Sequence, residues 1–485
     1  MKLRFHTKLS YGIGGAADHA VYTLIGTYLL FFLTSVAGIE PALAGTIAAA
    51  GPVWEAFCGP VTGFVSDNIQ TRFGKRKPFL LISAVPLAIT VSLLFTNFNF
   101  SPSVQVVYYI LMTLLCWQAF SMFFVPYIAW GSELTDDYDE RTELRSFAYI
   151  GNQAGMIIGM ILPVFLVSAF MNLGLSKTQA WSSVGTLIGI LCSLALLYCA
   201  ISIKETDIPD FKPEPKKERI LSGKKILGMF REYLDILKLR PAKFIIAASM
   251  LYLVADIFFC SAIVYNFNYR LGLSPIQSSM ALTVIAVSGA LMAPFISKLA
   301  AFTDKTSVFK VGMLVSGLLL ILMGFADIRN FVGCCIMCVF YTLANICYWQ
   351  LMPSMLYDVC EAEALASGSH HSGQVISTQA LSESLASAIG AQLLGLILQM
   401  ANFREELTVQ TELTVRWIGY CNTFIPGLIF IGVSIIFAKH PINKCNYERI
   451  QQALGRRNCG ETVDMSEFRD IYGKNLHGVK KQENI

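Results

Sequence analysis

The sequence predicts an all-α integral membrane protein, with twelve membrane-spanning helices grouped as two six-helix bundles. Three observations lead there. Of the 485 residues, 54% are apolar and only 14% are charged, against roughly a quarter charged in an average soluble protein; that is too few to clothe a water-exposed surface. About a dozen apolar runs reach the ~20 residues needed to cross a hydrocarbon core. One long polar stretch near the middle of the chain divides those runs six and six.

In chain order the spans read 10–37, 42–66, 77–98, 104–131, 146–172, 179–203, 243–269, 275–302, 308–327, 331–357, 373–402 and 413–438. Several exceed the bilayer minimum, as tilted or curved helices require. Lys2, Arg4 and Lys8 ahead of the first span resemble a signal-peptide start. The apolar stretch is too long for one and no small-residue cleavage site follows, so it reads as a retained helix. Lys and Arg flanks stay on the cytoplasmic side of a membrane. With a cytoplasmic N-terminus, all of the 37 Lys and Arg residues except Lys177, Arg270, Arg329, Arg404 and Arg416 fall on inner segments. An even helix count then puts both termini in the cytoplasm of a cell inner-membrane protein. The formal charge of +4 is a topological signal and implies no nucleic-acid partner.

The domains expected are a first bundle over 1–203, a linker over 204–242, a second bundle over 243–438 and a cytoplasmic tail over 439–485. The linker holds eleven Lys or Arg together with Pro209, Pro213 and Pro215. Within it Ile226, Leu227, Phe230, Leu234 and Leu237 recur at helical spacing between basic residues, as in a helix lying on the membrane surface. The tail has one amphipathic stretch near Tyr447–Leu454. Gly38-Ile39-x-Pro41 recurs as Gly272-Leu273-x-Pro275, and Pro60 matches Pro294 at the same offset. Ala17-Asp18 has a counterpart in Ala255-Asp256. A duplicated six-helix unit follows, the plan on which secondary transporters place a site between repeats at the membrane midplane. The 13 cysteines are scattered. Cys335-x-x-Cys338, beside Cys334, lies in an apolar run without His or acidic co-ligands and reads as core packing, with no disulfide framework.

Between the second and third spans stands Gly63-x-x-x-Asp67-Asn68-x-x-x-Arg72-x-Gly74-Lys75-Arg76-Lys77-Pro78. It resembles the major facilitator loop signature in the lengthened form shared by melibiose-permease relatives and plant sucrose porters. Leu9-Ser10-Tyr11-Gly12-x-Gly14, Pro126-Tyr127 leading to Glu133-Leu134-Thr135 and Glu140-Arg141-Thr142, and Tyr348-Trp349 leading to Asp358 resemble the glycoside–pentoside–hexuronide:cation symporters. The likeness runs from about residue 8 to 438 and implies the major facilitator fold. In the loop, Gly63 permits close helix approach, Asp67 can accept from backbone N–H groups at a neighbouring helix start, and Arg72 or Arg76 can pair with acids. Glu133, Asp136 and Arg141 of the next inner loop are the expected partners in a gate latching the two bundles.

A charged group in hydrocarbon costs about 2.5–3.5 kcal/mol on insertion scales, so intramembrane acids are functional candidates. Asp18, Glu55, Asp256 and Glu383 qualify by depth, and His19 adjoins Asp18. With no Lys or Arg at mid-helix, each must hold a proton, bind a metal cation or line a wet cavity. In the symporters resembled here the second helix carries Asp-Ala-x-x-Asp-Pro, whose acids help hold the coupling cation. This chain reads Glu55-Ala56-Phe57-Cys58-Gly59-Pro60, keeping the first acid as Glu and losing the second to Gly. With Ser121 as the remaining oxygen, the set is poor for sodium, a hard cation that wants several oxygens. A proton on Glu55 or Asp18 is favoured, with Na+ as the alternative and no other cofactor. His19 is a proton shuttle or a helix-packing residue.

The sugar site implied by the resemblance departs as well. Phe124 stands where relatives place Asp, Ala148 where they place Arg, and Ser384, beside Glu383, where they place Lys. Asp18, His19 and Trp349 keep positions matching family sugar contacts. Asp18, Asn152, Gln153, Asn345, Gln350 and Gln379 can bind hydroxyls, while Tyr127 and Trp349 can cover C–H surfaces; each amide serves equally as an interhelical hydrogen bond. Loss of the basic pair points to a neutral substrate. His370-His371 reads as solvated loop, with no metal site expected, and no catalytic constellation or nucleotide fingerprint occurs. The sequence therefore predicts a monomeric, non-enzymatic symporter for a neutral sugar or glycoside, embedded in a lipid bilayer. A carrier of a lipid-like or nucleoside substrate, and a membrane sensor that keeps the fold without transport, are the rivals. Reporter fusions after Ile485 test the orientation: a cytoplasm-dependent reporter is expected to be active and an exported one silent, and the reverse pattern overturns the assignment.

Overall fold

The computed structural model describes residues 3–69, 71, 74–134, 138–203, 236–367, 372–407, 409–458, 461 and 463–473. The linker up to residue 235 with most of its expected surface helix, Arg72, and His370-His371 lie outside the described residues, as do the side chains of Asp67 and Arg141. Among those described, helices account for the fold and the one β-bridge is isolated, Thr71 to Gly74. Gly74 takes φ +83° there, a left-handed value that glycine adopts without cost.

Twelve long helices follow in order: α1 (Phe5–Ser35), α2 (Pro41–Asn68), α3 (Lys77–Leu94), α4 (Pro102–Glu133), α5 (Tyr138–Met156, continued by a π turn Ile157–Ile161 into Leu162–Asn172), α6 (Lys177–Ser202), α7 (Arg240–Tyr265, ending in a π turn Asn266–Leu271), α8 (Pro275–Phe302), α9 (Lys305–Ala326), α10 (Phe331–Ser367), α11 (Ser372–Met400) and α12 (Glu412–Asn422, resumed as Phe424–Phe437). Eleven are long and apolar enough to cross a membrane. The twelfth, α2, is rich in Ala, Gly and Pro and carries Glu55, which lowers its apolarity; its 28 residues still span about 42 Å. Pro41, Pro78 and Pro102 open α2, α3 and α4 in the first turn, where the missing N–H has no helical partner to lose. Ser176 opens α6 with a reciprocal capping box to Gln179.

The chain packs as two compact units, and their boundary does not follow the sequence halves. Unit 1 is Met1–Arg219 with Ile257–Ala286 and Ala388–Gly419; unit 2 is Ile220–Asp256, Val287–Ser387 and Tyr420–Ile485. The reason is visible inside unit 1, at the helix ends that the charge rule predicts to be outer. Ser261 of α7 donates to Gly26 O of α1 at 2.7 Å, and Tyr265 meets Thr34 Oγ1 at 2.5 Å. A Cβ on Gly45 of α2 would stand 3.1 Å from Gly395 Cα of α11. Gln399 donates to Glu40 at 2.5 Å, and Phe31, Tyr265 and Phe403 stack edge to face at 5.4 and 5.3 Å. These contacts draw the ends of α7 and α11 onto α1 and α2.

Elsewhere in unit 1, Gly151, Gly155 and Gly159 form a ridge along α5, and Cβ atoms there would run into the α1 carbonyls of Gly12, Ala16 and Ala20. Small residues let helix backbones meet where lipid offers no hydrophobic drive for association. In unit 2, α9 and α12 approach the same way through Gly317 and Gly427.

Past α12 the chain forms α13 (Lys444–Asn458), a 3-10 turn (Met465–Phe468) and a last turn (Arg469–Tyr472). This segment seats on the end of α10: Tyr472 donates to Ala362 O at 2.7 Å, and Arg457 to Leu365 O at 3.1 Å. Ile450, Ala453, Phe468 and Ile471 are buried beneath it.

Gly155→Val forces the α1–α5 contact apart and is expected to cost about 1–3 kcal/mol, the range of an overpacked core. Gly432→Ala, where nothing lies within 4 Å of the new Cβ, is expected to be silent. Thermal unfolding in detergent reads both.

Candidate functional site

Asp18 lies buried on α1, with His19 Nδ1 3.3 Å from Asp18 Oδ2. On α2, Glu55 is half-buried. Gly59, one turn on, faces α4, and a Cβ placed there would stand 3.9 Å from Ser121 Oγ. That hydroxyl is fully buried and has no hydrogen-bond partner. Position 59 thus opens onto an unsatisfied oxygen.

Other sequence candidates in unit 1 turn toward packing. The Tyr127 hydroxyl donates to Tyr11 O at 2.7 Å and its ring stacks on Tyr11 at 4.5 Å, so its polar end is consumed by α1. With its amide oriented so that the nitrogen faces these acceptors, Asn152 donates across to Gly15 O of α1 at 3.0 Å and back to Ala148 O of its own helix at 3.1 Å, the first being the interhelical use left open by the sequence. Gln153 is half-buried on the same helix. On α4, Phe120 and Phe124 stack at 5.4 Å, so an aromatic face replaces the acid expected at 124.

At the other end of unit 1, Arg76 binds Glu133 Oε1 through Nε at 3.0 Å and Nη2 at 2.6 Å, while Nη1 donates to Ser66 Oγ at 2.6 Å. Gly63 accepts from Ser66 within α2 at 3.0 Å. The loop signature therefore brings Arg76 and Glu133 together as expected, with a different consequence from a latch between bundles. Ser66, Arg76 and Glu133 sit on α2, the start of α3 and the end of α4, so the bonds tie three helices of one half.

Unit 2 holds the matching device. Lys305, at the start of α9, meets both oxygens of Asp358 on α10 at 2.7 and 2.6 Å. Its ammonium lies 5.3 Å from the Tyr447 ring centroid of the seated tail helix. Asp304 caps α9 by accepting from Ser307 N at 3.1 Å. Burial pushes the Asp304 carboxyl up, but hydrogen bonds from Thr306 and Ser307 outweigh it and hold the group below its ordinary value.

Deeper in unit 2 the sequence candidates Glu383 and Gln379 share one cluster. Glu383 Oε1 accepts from Tyr348 OH at 2.8 Å and Gln379 Nε2 at 3.0 Å. Trp349 is 43% exposed and packs edge-on to Tyr348 at 5.3 Å. Asp256 accepts from Tyr252 at 3.2 Å and, through a shorter bond, from Tyr341. Gln350 is spent on α8, donating to Ala293 O at 3.2 Å and to Ser297. Tyr252 and Tyr341 were not singled out by sequence, unlike Tyr348; the available signal is helical spacing, with Tyr252 one turn before Asp256 and Tyr341 one turn before Asn345.

A profile of the family described as MFS/sugar transport protein matches residues 10–444. The chain belongs to that family, the glycoside–pentoside–hexuronide:cation symporter branch of the major facilitator superfamily. It is similar to the inner membrane symporter YicJ of Escherichia coli, 22% identical over 96% of this chain and 98% of the relative. It is also similar to the isoprimeverose transporter of Lactiplantibacillus pentosus, 24% identical over 89% and 88%. Among solved structures, the POT family transporter PepTSo superposes with a TM-score of 0.63 at 12% identity, over 92% of this chain and 99% of that one, a likeness of fold.

Arg76→Ala and Lys305→Ala each break one of the two end ties and are expected to lower stability by about 1–3 kcal/mol. The swap Lys305→Asp with Asp358→Lys is expected to recover most of that loss. Thermal midpoints of the purified variants read the effect.

Proposed function

We propose that the protein is a symporter that moves a neutral sugar or glycoside across the inner membrane by alternating access, driven by a cation gradient, with the proton favoured over sodium. The observation that carries the choice of ion is the Glu55–Gly59–Ser121 arrangement. One carboxylate with a single unsatisfied hydroxyl across from a glycine is a meagre shell for a hard metal cation; a carboxyl group needs only one site to take a proton. Asp18 and His19, in contact on α1, add a second acid and a base suited to passing a proton on.

The sugar reading is supported by family membership, by the isoprimeverose relative, and by retention of Asp18, His19 and Trp349. Loss of the basic residues at 148 and 384 favours an uncharged cargo. The stacked Phe120–Phe124 face supports a second reading, a carrier whose substrate has a large apolar part; the sensor alternative has no comparable observation in its favour.

Uptake of isoprimeverose and other neutral glycosides into proteoliposomes tests the proposal. An inward pH gradient of about one unit stores about 1.4 kcal/mol per proton, enough for about tenfold accumulation at one proton per sugar. Accumulation is expected under that gradient and not under an imposed sodium gradient. Glu55→Gln is expected to abolish accumulation while sparing exchange; undiminished accumulation in that variant removes Glu55 from the coupling step.

A further inference from the structure

Asp256 and Glu383, the two acids of unit 2, are held alike. Asp256 presents Oδ1 to two phenols, Tyr252 and Tyr341. Asn345 Nδ2 donates to both phenol oxygens at 3.1 Å, so each phenol accepts from the amide and turns its own proton toward the carboxyl group. Glu383 presents Oε1 to Tyr348 and Gln379. The two arms meet where Tyr252 and Tyr348 stack at 3.8 Å with their planes 10° apart, both rings fully buried.

Three further features define what such a place can hold. Among the described residues, no Lys, Arg or His forms an ion pair with either acid; the groups facing them are Tyr252 and Ser249 of α7, Tyr341, Asn345 and Tyr348 of α10, and Gln379 of α11. The phenol and amide hydrogen bonds fall on Asp256 Oδ1 and Glu383 Oε1, and both side chains are only half-buried. Gln379 is 4% exposed, yet its Oε1 has no donor although its Nε2 serves Glu383 and Ser249.

We propose that Asp256 and Glu383 form a second ion site of this symporter and that the ion is a proton, carried on Asp256 Oδ2 and Glu383 Oε2. The phenols and the amide steady the oxygen that keeps the negative charge after release, while the other oxygen takes and returns the proton. With no cationic partner among the described residues, protonation is a direct way to remove the charge of these half-buried acids. A buried amide oxygen lacking a donor suits an occupant that brings an O–H. Tyr252 against Tyr348 makes each arm sense the other, so loss of one proton disfavours loss of the next. For its purpose the site rests on the coupling reading given above; its test needs neither substrate nor gradient.

Infrared difference spectroscopy of the full chain in lipid nanodiscs, titrated through the acid to neutral range, reads the carboxylic C=O band directly. The expected result is a titrating band whose intensity falls in Asp256→Asn and in Glu383→Gln, falls furthest in the double variant, and keeps that Asp256- and Glu383-dependent part in Glu55→Gln. Tyr341→Phe, which keeps the acid and removes one donor, is expected to shift the band in frequency. Should the acid variants fold poorly, that shift alone decides. A band untouched by all of these substitutions overturns the proposal, as does a wild-type band erased by sodium at fixed pH. Failure of gradient-driven uptake with the band intact would strike the transport reading and leave the site standing.

Discussion

Hydrocarbon offers no hydrogen bonds, so every polar group in these helices must be satisfied by the protein itself. Most short hydroxyls meet that demand locally by donating one turn back: Ser10 to His6 O, Thr34 to Leu30 O, Thr90 to Pro86 O and Ser382 to Thr378 O. Such bonds let a helix carry Ser and Thr at little cost and make them uninformative about function. Groups that remain short of a partner stand out against this background. Ser121 Oγ, across from Gly59, and Gln379 Oε1, in a side chain bonded to Glu383, are two of them.

The same demand explains how the helices are tied. Backbones approach through glycine where α5 meets α1 and α9 meets α12. At their ends charge takes over, where water is near enough to accept it. Arg76–Glu133 and Lys305–Asp358 occupy corresponding places in the two repeats: a base at the start of the third helix and an acid toward the end of the fourth. The duplication seen in Gly38 and Gly272 or Pro60 and Pro294 therefore extends to the electrostatics of the helix ends, although the residue types have diverged.

Span positions, the repeat, the family and the Arg76–Glu133 pairing were legible in the sequence, because apolar length and loop motifs are local properties. Side-chain direction was not. Asn152 and Gln379 are both amides in apolar helices, yet one closes the α1–α5 contact and the other attends Glu383. Tyr127 read as a sugar platform and turned out to bind α1, since a ring on a helix can face either neighbour at the same spacing. Gly395 against Gly45 and Lys305 against Asp358 join residues far apart in the chain, which no periodicity reports. The tail's amphipathic stretch was visible, while its seat on α10 was not.

That seat has a consequence for the order in which the molecule is made. Ala362 and Leu365 leave the ribosome about a hundred residues before Tyr472 and Arg457, the side chains that bond to their carbonyls. Until residues 444–473 emerge, the end of α10 stands bare, and the basic groups that offset its dipole are missing. The carbonyls of Ala362 and Leu365 thus wait for their side-chain donors until the last helix has been made.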